Sequence, residues 1–477
     1  MKYLMIFVSA ATVIVSPIAL LNADDSVSYF RHDHGVAGDK HRLPDDFSNK
    51  RNLVWRHELA PGNSTPCVVG DRVFLTTYVA ESKELATVAL DRATGEPVWK
   101  RVAATKEIES FHSVSSPATC TVACDGQRVF SFFGSYGMRC YDLDGKLLWE
   151  KPMGPFQDEF GANSSPILAD GKVILNQDHD INNFIMAIDP ATGDTLWKIG
   201  RPASTRSYAT PIAWKDGENT FVVVAGSLRL SAYDVSDGKL TWWVDGLSRI
   251  VDSTPVLADG RIYLATWTPG GDQAKRISME PYNGALKSYD KNGDGLIAKT
   301  ELPKGDVLAR FFRIDLDQDL KLNETEWNAH AQVFEKALNA AMRIRPGGKG
   351  NVTNSHVDWI YRRGLPIVPS AVVYRGVMYM VKNEGVLTTL DAKTGERLQQ
   401  LRLAGRGNYY ASLVAGDGKV FSVSERGVIS VLKAGRESRV VSSHDFGERI
   451  LATPTIVGGR FYLRTDAALY CFGRPLD

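Results

Sequence analysis

NSSPILADGKVILNQ (163–177), continued by MAIDPATGDTLWK (186–198), is the stretch on which the fold turns. Its order is a small residue, a proline, an apolar run, Asp-Gly, two further apolar runs, and then D-x-x-T-G with a tryptophan. Short apolar runs broken by turn residues at this spacing read as antiparallel strands. Gly193 supplies the positive φ that a tight hairpin needs, and the Asp189 carboxylate can cap that turn. The phrase returns as STPCVVGDRVFLTTY (64–78) with VALDRATGEPVWK (88–100). Shorter forms are CYDLDGKLLW (140–149), SAYDVSDGKLTWW (231–243) and TTLDAKTGERL (388–398).

Marked at the residue before the first strand, the units begin at Pro66, Pro117, Pro166, Pro211, Pro255, Ala371, Leu413 and Pro454. That makes eight units of about four strands each, all but one separated by about 41 to 51 residues. A unit of this size cannot bury both faces alone, so the units must close on one another, and radial closure predicts an all-β, eight-bladed β-propeller. The tryptophans Trp99, Trp149, Trp197 and Trp242 or Trp243 offer rigid surfaces for packing blade on blade. NLVWRHEL (52–59) supplies the outer strand that the last unit lacks, so the N- and C-terminal strands should close the ring together. Trp359 in VDWIYRRGLP supplies the same strand for the fifth unit. Units six and seven carry Leu398 and Val440 in that region, which predicts looser packing there.

With these hairpins the chain resembles the pyrroloquinoline-quinone-type (PQQ-type) β-propeller repeat family over nearly all of its mature length. The family includes quinoprotein alcohol dehydrogenases and non-catalytic propellers such as the lipoprotein of the outer-membrane β-barrel assembly machinery. The resemblance to the enzymes implies a disulfide of adjacent cysteines above the cofactor, a tryptophan beneath it and a calcium ion in the funnel. This chain has no adjacent cysteine pair, which argues against PQQ as a cofactor.

The fifth step is 116 residues, and helix-favouring sequence between Trp267 and Trp359 fills the excess. Within it, YDKNGDGLIAKTEL (289–302) places Asp290, Asn292, Asp294, the Leu296 carbonyl and Glu301 at positions 1, 3, 5, 7 and 12 of an EF-hand loop, with Gly295 at the sharp turn. DLDQDLKLNETE (315–326) repeats the pattern with Asp315, Asp317, Asp319, the Lys321 carbonyl, Asn323 and Glu326. It has Leu320 where glycine is expected, which predicts the weaker site. Ile297 and Leu322 share position 8, where paired loops join through a short two-stranded contact. The expectation is a compact α-helical EF-hand pair binding one or two calcium ions in a structural role.

The remaining chain divides into an export signal (1–23), a flexible N-terminal lead (24–50), propeller sequence (51–270), the insertion (271–352) and propeller again (353–477). Export implies the periplasm or cell envelope; contact with the membrane follows only if the N-terminal apolar segment stays uncleaved. With 56 basic and 55 acidic residues, no charge imbalance points to nucleic acid. Cys140 and Cys471 fall in the slot of Ala89, Ala187 and Ala232 and read as small buried residues, while Cys120 and Cys124 bracket an extension and could clamp it as a disulfide. The segments before the inner strands should line one channel mouth through His112, Asp158, Glu159, Arg206, Arg249, Asp252, Tyr409, Tyr410 and Arg449. His32, His34 and His41 have metal-like spacing but belong to the lead. The expected function is a calcium-binding scaffold that engages a protein or envelope partner through its loops. The alternatives are a PQQ-dependent dehydrogenase and a propeller that binds a polysaccharide or small ligand.

Overall fold

The computed structural model describes residues 26–48, 51–269 and 277–473. The export signal expected over residues 1–23 lies outside the described residues. Eight antiparallel sheets form the blades of a propeller. Blade 1 runs Cys67–Val69, Arg72–Val79, Glu84–Asp91 and Pro97–Ala103. Blade 8 takes three strands from the C-terminus and its outer strand, Leu53–Glu58, from the N-terminal part of the chain. Trp55 pairs there with Cys471, so the ring is closed by strands from both ends, as the unmatched tryptophan of NLVWRHEL predicts.

A single device locks most seams. Five outer-strand tryptophans lie against the hairpin glycine of the next blade: Trp55 on Gly95, Trp99 on Gly145, Trp149 on Gly193, Trp197 on Gly238 and Trp359 on Gly395. Trp242 and Trp243, on the outer strand of blade 4, do not. Each of the five indole N–H groups donates to a carbonyl of its hairpin at 2.8 to 3.1 Å. Opposite four of these indoles on the neighbouring strand stands a small residue: Ala89 with Trp99, Cys140 with Trp149, Ala187 with Trp197 and Cys471 with Trp55, whereas Arg343 faces Trp359. The four are small because the ring occupies the space above them, which explains the two slot cysteines.

Five sequence expectations change. The lead is packed, not flexible: Val27 bridges Val68, the buried Arg31 guanidinium donates to the carbonyls of Leu413 and Ala371, and Leu43 and Phe47 are buried. Phe47 fills the seam between blades 7 and 8, against Phe421, Phe461 and Phe472, where no tryptophan is available. Between blades 6 and 7 the Tyr379 hydroxyl accepts the Gly435 N–H at 2.7 Å. The looser packing expected there is therefore replaced by other groups.

Cys120 and Cys124 are both free and buried. The first packs in the core between blades 2 and 3 and donates its thiol to the Ala162 and Ser164 carbonyls, while the second packs towards blade 1 with Cys67, so the chain between them turns them to opposite faces. In blade 2 the inner strand is Ala123–Cys124, so Val122 and not Pro117 takes the place of the marker proline. Finally, the insertion ends before residue 352. Ala340–Ile344 is already the third strand of blade 5, paired with both Arg261–Thr266 and Val357–Tyr361. Its alanine-rich start reads as helix by propensity, but the sheet on both sides outweighs that preference.

Candidate functional site

Eight hydroxyl side chains ring the central channel, one per blade: Thr65, Thr121, Ser165, Thr210, Thr254, Ser370, Ser412 and Thr453. From Thr121 round to Thr453 each hydroxyl oxygen accepts the backbone N–H of its counterpart in the preceding blade, at 2.9 to 3.2 Å. The collar therefore satisfies seven amides that would otherwise be orphaned at the axis. The sequence carries the signal as the Ser or Thr directly before the marker position in seven units, displaced to Thr121 in the extended second one.

Above the collar lies a cavity of about 440 Å³. The lead crosses beneath it, from Val27 on blade 1, through Ser28, whose carbonyl accepts the Cys124 N–H, to Arg31 under blades 6 and 7. Phe30 on this segment lines the cavity, which makes the channel a funnel closed at one end. Of the predicted mouth residues, His112, Glu159, Arg249, Asp252, Tyr409 and Tyr410 line it. Asp158 sits behind the wall, where its carboxylate accepts the Tyr208 hydroxyl at 2.7 Å and lies 3.5 Å from His179. Arg206 turns to a neighbouring cavity of about 270 Å³ and pairs with Asp180 and Glu159. Arg449 pairs with Glu425 at 2.8 Å and does not line the funnel. His32, His34 and His41 form no metal-ligating group with one another among the described residues.

Sequence reading missed Phe160 and Tyr208 in the funnel wall, and Arg313, which reaches it from the insertion. Burial dominates the acid groups near the axis. It pushes the Asp252 carboxyl up to about 7, aided by Asp158, and the Glu109 carboxyl up to about 8.

The insertion folds around its own small core. Helices α1 (Tyr282–Tyr289) and α4 (Glu324–Lys336) flank two acidic loops, with the one-turn helices α2 (Asp306–Ala309) and α3 (Phe311–Ile314) between them. Ile297 pairs with Leu322 in a two-stranded bridge, both fully buried, over Tyr282, Phe311 and Trp327. In the first loop, Asp290 accepts the Gly293 and Gly295 N–H groups, Asn292 accepts that of Asp294, and Glu301 accepts those of Lys291, Asn292 and Ala298. Asp294 is held at 2.8 Å by the Lys321 ammonium, so one acidic arm of this loop is turned to a protein cation.

In the second loop, carboxylate oxygens of Asp315, Asp317 and Glu326 lie within 4.8 Å of one another. The Asp315 Oδ1 atom is buried with no hydrogen-bond partner. Glu326 accepts the N–H groups of Leu316, Asp317 and Asn323, and Asp319 accepts that of Lys321. Leu320 adopts φ 66°, the left-handed conformation for which glycine is suited. The loop expected to be the poorer one is thus the one whose carboxylates converge.

A family model described as outer membrane protein assembly factor BamB matches residues 49–176 and 181–474. The outer membrane protein assembly factor BamB of Yersinia pestis is 24% identical over 367 residues, which is 72% of this chain and 78% of that protein. The dehydrogenase subunit of the quinone alcohol dehydrogenase of Gluconobacter oxydans (strain 621H) is 24% identical over 168 residues, 31% of this chain and 21% of that protein. The crystal structure of BamB from Moraxella catarrhalis covers 88% of this chain and 98% of its own, with a TM-score of 0.55 and 12% identity, a likeness of fold.

Proposed function

The chain belongs to the family of the outer membrane protein assembly factor BamB, and on that premise we propose that it is an exported, calcium-binding propeller acting as a non-catalytic binding or assembly scaffold in the cell envelope. Its partner is a protein engaged through the mouth loops. The observation that carries this reading is the funnel lining: Phe30 closes the bottom, and neither tryptophan nor cysteine is among the described lining residues. The resemblance to quinoprotein enzymes implies both of those residue types around a bound quinone.

Calcium belongs to the insertion in this reading. A hard cation with six to eight oxygen ligands suits alternate carboxylates closed by a glutamate. Asp315, Asp317, Asp319, the Lys321 carbonyl and Glu326 would hold one ion, and the buried, unsatisfied Asp315 oxygen supports that fit. Asp290, Asn292, Asp294, the Leu296 carbonyl and Glu301 would hold a second, once Asp294 exchanges Lys321 for the ion. The ion supplies fixed positive charge that holds each loop, with no chemical step.

Two measurements test the scaffold. Loss of the protein from its native host should lower the content of assembled outer-membrane proteins, restored by the wild-type chain. Purified protein given PQQ and calcium should show neither quinone absorbance nor dye reduction with alcohols or sugars. Dye reduction would instead establish the second reading, a quinoprotein dehydrogenase, which the match to the Gluconobacter oxydans subunit favours.

A further inference from the structure

Two guanidinium groups line the funnel mouth, neither of them in an ion pair with a carboxylate. Arg249 comes from the loop that enters blade 5, and Arg313 from the last turn of α3 in the insertion. Both line the funnel and also the neighbouring cavity beneath α4, so together they form the wall between the two spaces. Neither guanidinium makes a hydrogen bond or an ion pair with a described residue, and the Arg249 Nε atom is buried without a partner. By contrast, Arg201, Arg206 and Arg229, which line the same neighbouring cavity, are each paired with an aspartate.

The surroundings add to the imbalance. Arg206 and Arg310 also act on Arg249, and burial together with these like charges, Arg313 first, pulls its guanidinium down to about 10. Nearby acids do not offset this: Glu159 is engaged by Arg206, and Asp252 is held up to about 7. A buried guanidinium without an acceptor costs free energy, and two together repel, so the arrangement is one that an incoming anion would stabilise. A planar fork matches a carboxylate or phosphate through two parallel N–H···O bonds, and two forks can take opposite edges of one oxyanion.

The rest of the cavity is suited to the body of such a molecule. The collar oxygens already accept backbone N–H groups, which leaves their hydroxyl hydrogens to donate towards the axis. Phe160, Tyr208 and Tyr409 provide flat walls. The volume of about 440 Å³ is that of a small-molecule site.

We propose that Arg249 and Arg313 form an oxyanion-binding site, built jointly by the propeller and its insertion, that takes the carboxylate or phosphate group of a small hydroxylated molecule into the funnel. The site goes beyond the scaffold reading and does not require an ion in either acidic loop. The two sources of the shared chemistry are separable with inorganic phosphate and citrate as probes.

Isothermal titration calorimetry on the full chain, at low ionic strength and with chloride matched between cell and syringe, is the test. Saturable binding of phosphate or citrate is expected, weakened at least 10-fold by Arg249→Gln or Arg313→Gln and unchanged by Arg439→Gln on an exposed outer strand. The tighter of the two probes names the headgroup. Because either glutamine variant removes like-charge repulsion, its melting temperature should hold or rise. If one fails to fold, Arg313→Lys serves instead, keeping the charge while losing the fork, with at least a 3-fold loss expected. No saturable heat with either probe, or equal affinity in both arginine variants and the wild type, overturns the proposal.

Discussion

Gln157, in the loop that enters blade 3, donates its side-chain amide to the carbonyl of Leu316, inside the second acidic loop. One residue of the propeller mouth thus grips the segment that holds Asp315 and Asp317, and Arg313 in the funnel lies just ahead of them. This hydrogen bond ties the propeller mouth to the second acidic loop.

From this link it follows that calcium should protect the insertion from proteolysis in the full-length protein. Extracellular calcium modules bind at roughly 10⁻⁴ to 10⁻³ M, and a midpoint in that range is expected here. Glu326→Gln should remove most of the protection and Glu301→Gln less, since the carboxylates converge in the second loop. Gln157→Ala should leave calcium affinity within about 3-fold and still raise cleavage between residues 277 and 339. Digestion followed by mass spectrometry at graded calcium reads all three, and equal protection with and without chelator would remove calcium from the account.

The seams give a stability prediction. Trp99 is buried on Gly145, whose φ is 82° and whose added Cβ would come within 2.7 Å of the ring. Trp99→Ala should cost about 3 to 5 kcal/mol, as large aromatic truncations do. Gly145→Ala should cost roughly 1 to 3 kcal/mol from the left-handed backbone, before the clash is counted. Denaturant titration checks both, and a Gly145→Ala protein as stable as the parent would show that the hairpin can move off the indole.

Glu109 gives a pH dependence. Its side chain is buried. Burial raises its folded pKa to about 8, with Asp158 adding to the effect and the Ala162 amide opposing it. The folded state holds the proton while the unfolded chain releases it from about pH 4.5 upward. Stability should therefore fall as pH rises from about 4.5 to 8 and flatten above, by a few kcal/mol in all. Glu109→Gln should remove this slope and stabilise the protein at pH 8. Urea midpoints at pH 5, 6, 7 and 8 make the comparison, and parallel curves for the two proteins would assign the slope to other groups.

The lead gives the fourth. Phe47→Ala should destabilise by about 3 to 5 kcal/mol, because it empties the seam between blades 7 and 8. Arg31→Ala leaves the Leu413 and Ala371 carbonyls without their donor and should cost on the order of 1 to 3 kcal/mol. Thermal melts of the two variants against Arg42→Ala, on the exposed stretch of the lead, provide the check.

Much of the fold was legible in the chain because it is local. Asp189 and Gly193 set a hairpin within five residues, and the recurrence of that hairpin counts the blades whatever the blades touch. Trp55 announced the closing strand because the last unit visibly lacked one. The acidic loops were equally legible, since alternating oxygens and the Ile297 and Leu322 positions are spacings along one segment.

What only the tertiary structure decided is where residues far apart in sequence come together. Arg31 reaches Leu413 across 382 positions, and nothing in the local pattern of HDHGVAGDKH distinguishes a packed strap from a loose tail. Arg249 and Arg313 meet because an insertion folds back over the mouth, and Asp158 falls behind the wall because Tyr208 holds it there. Periodicity follows from backbone geometry and turn chemistry, which neighbouring residues determine. The funnel and its charges follow from ring closure, which no single segment encodes.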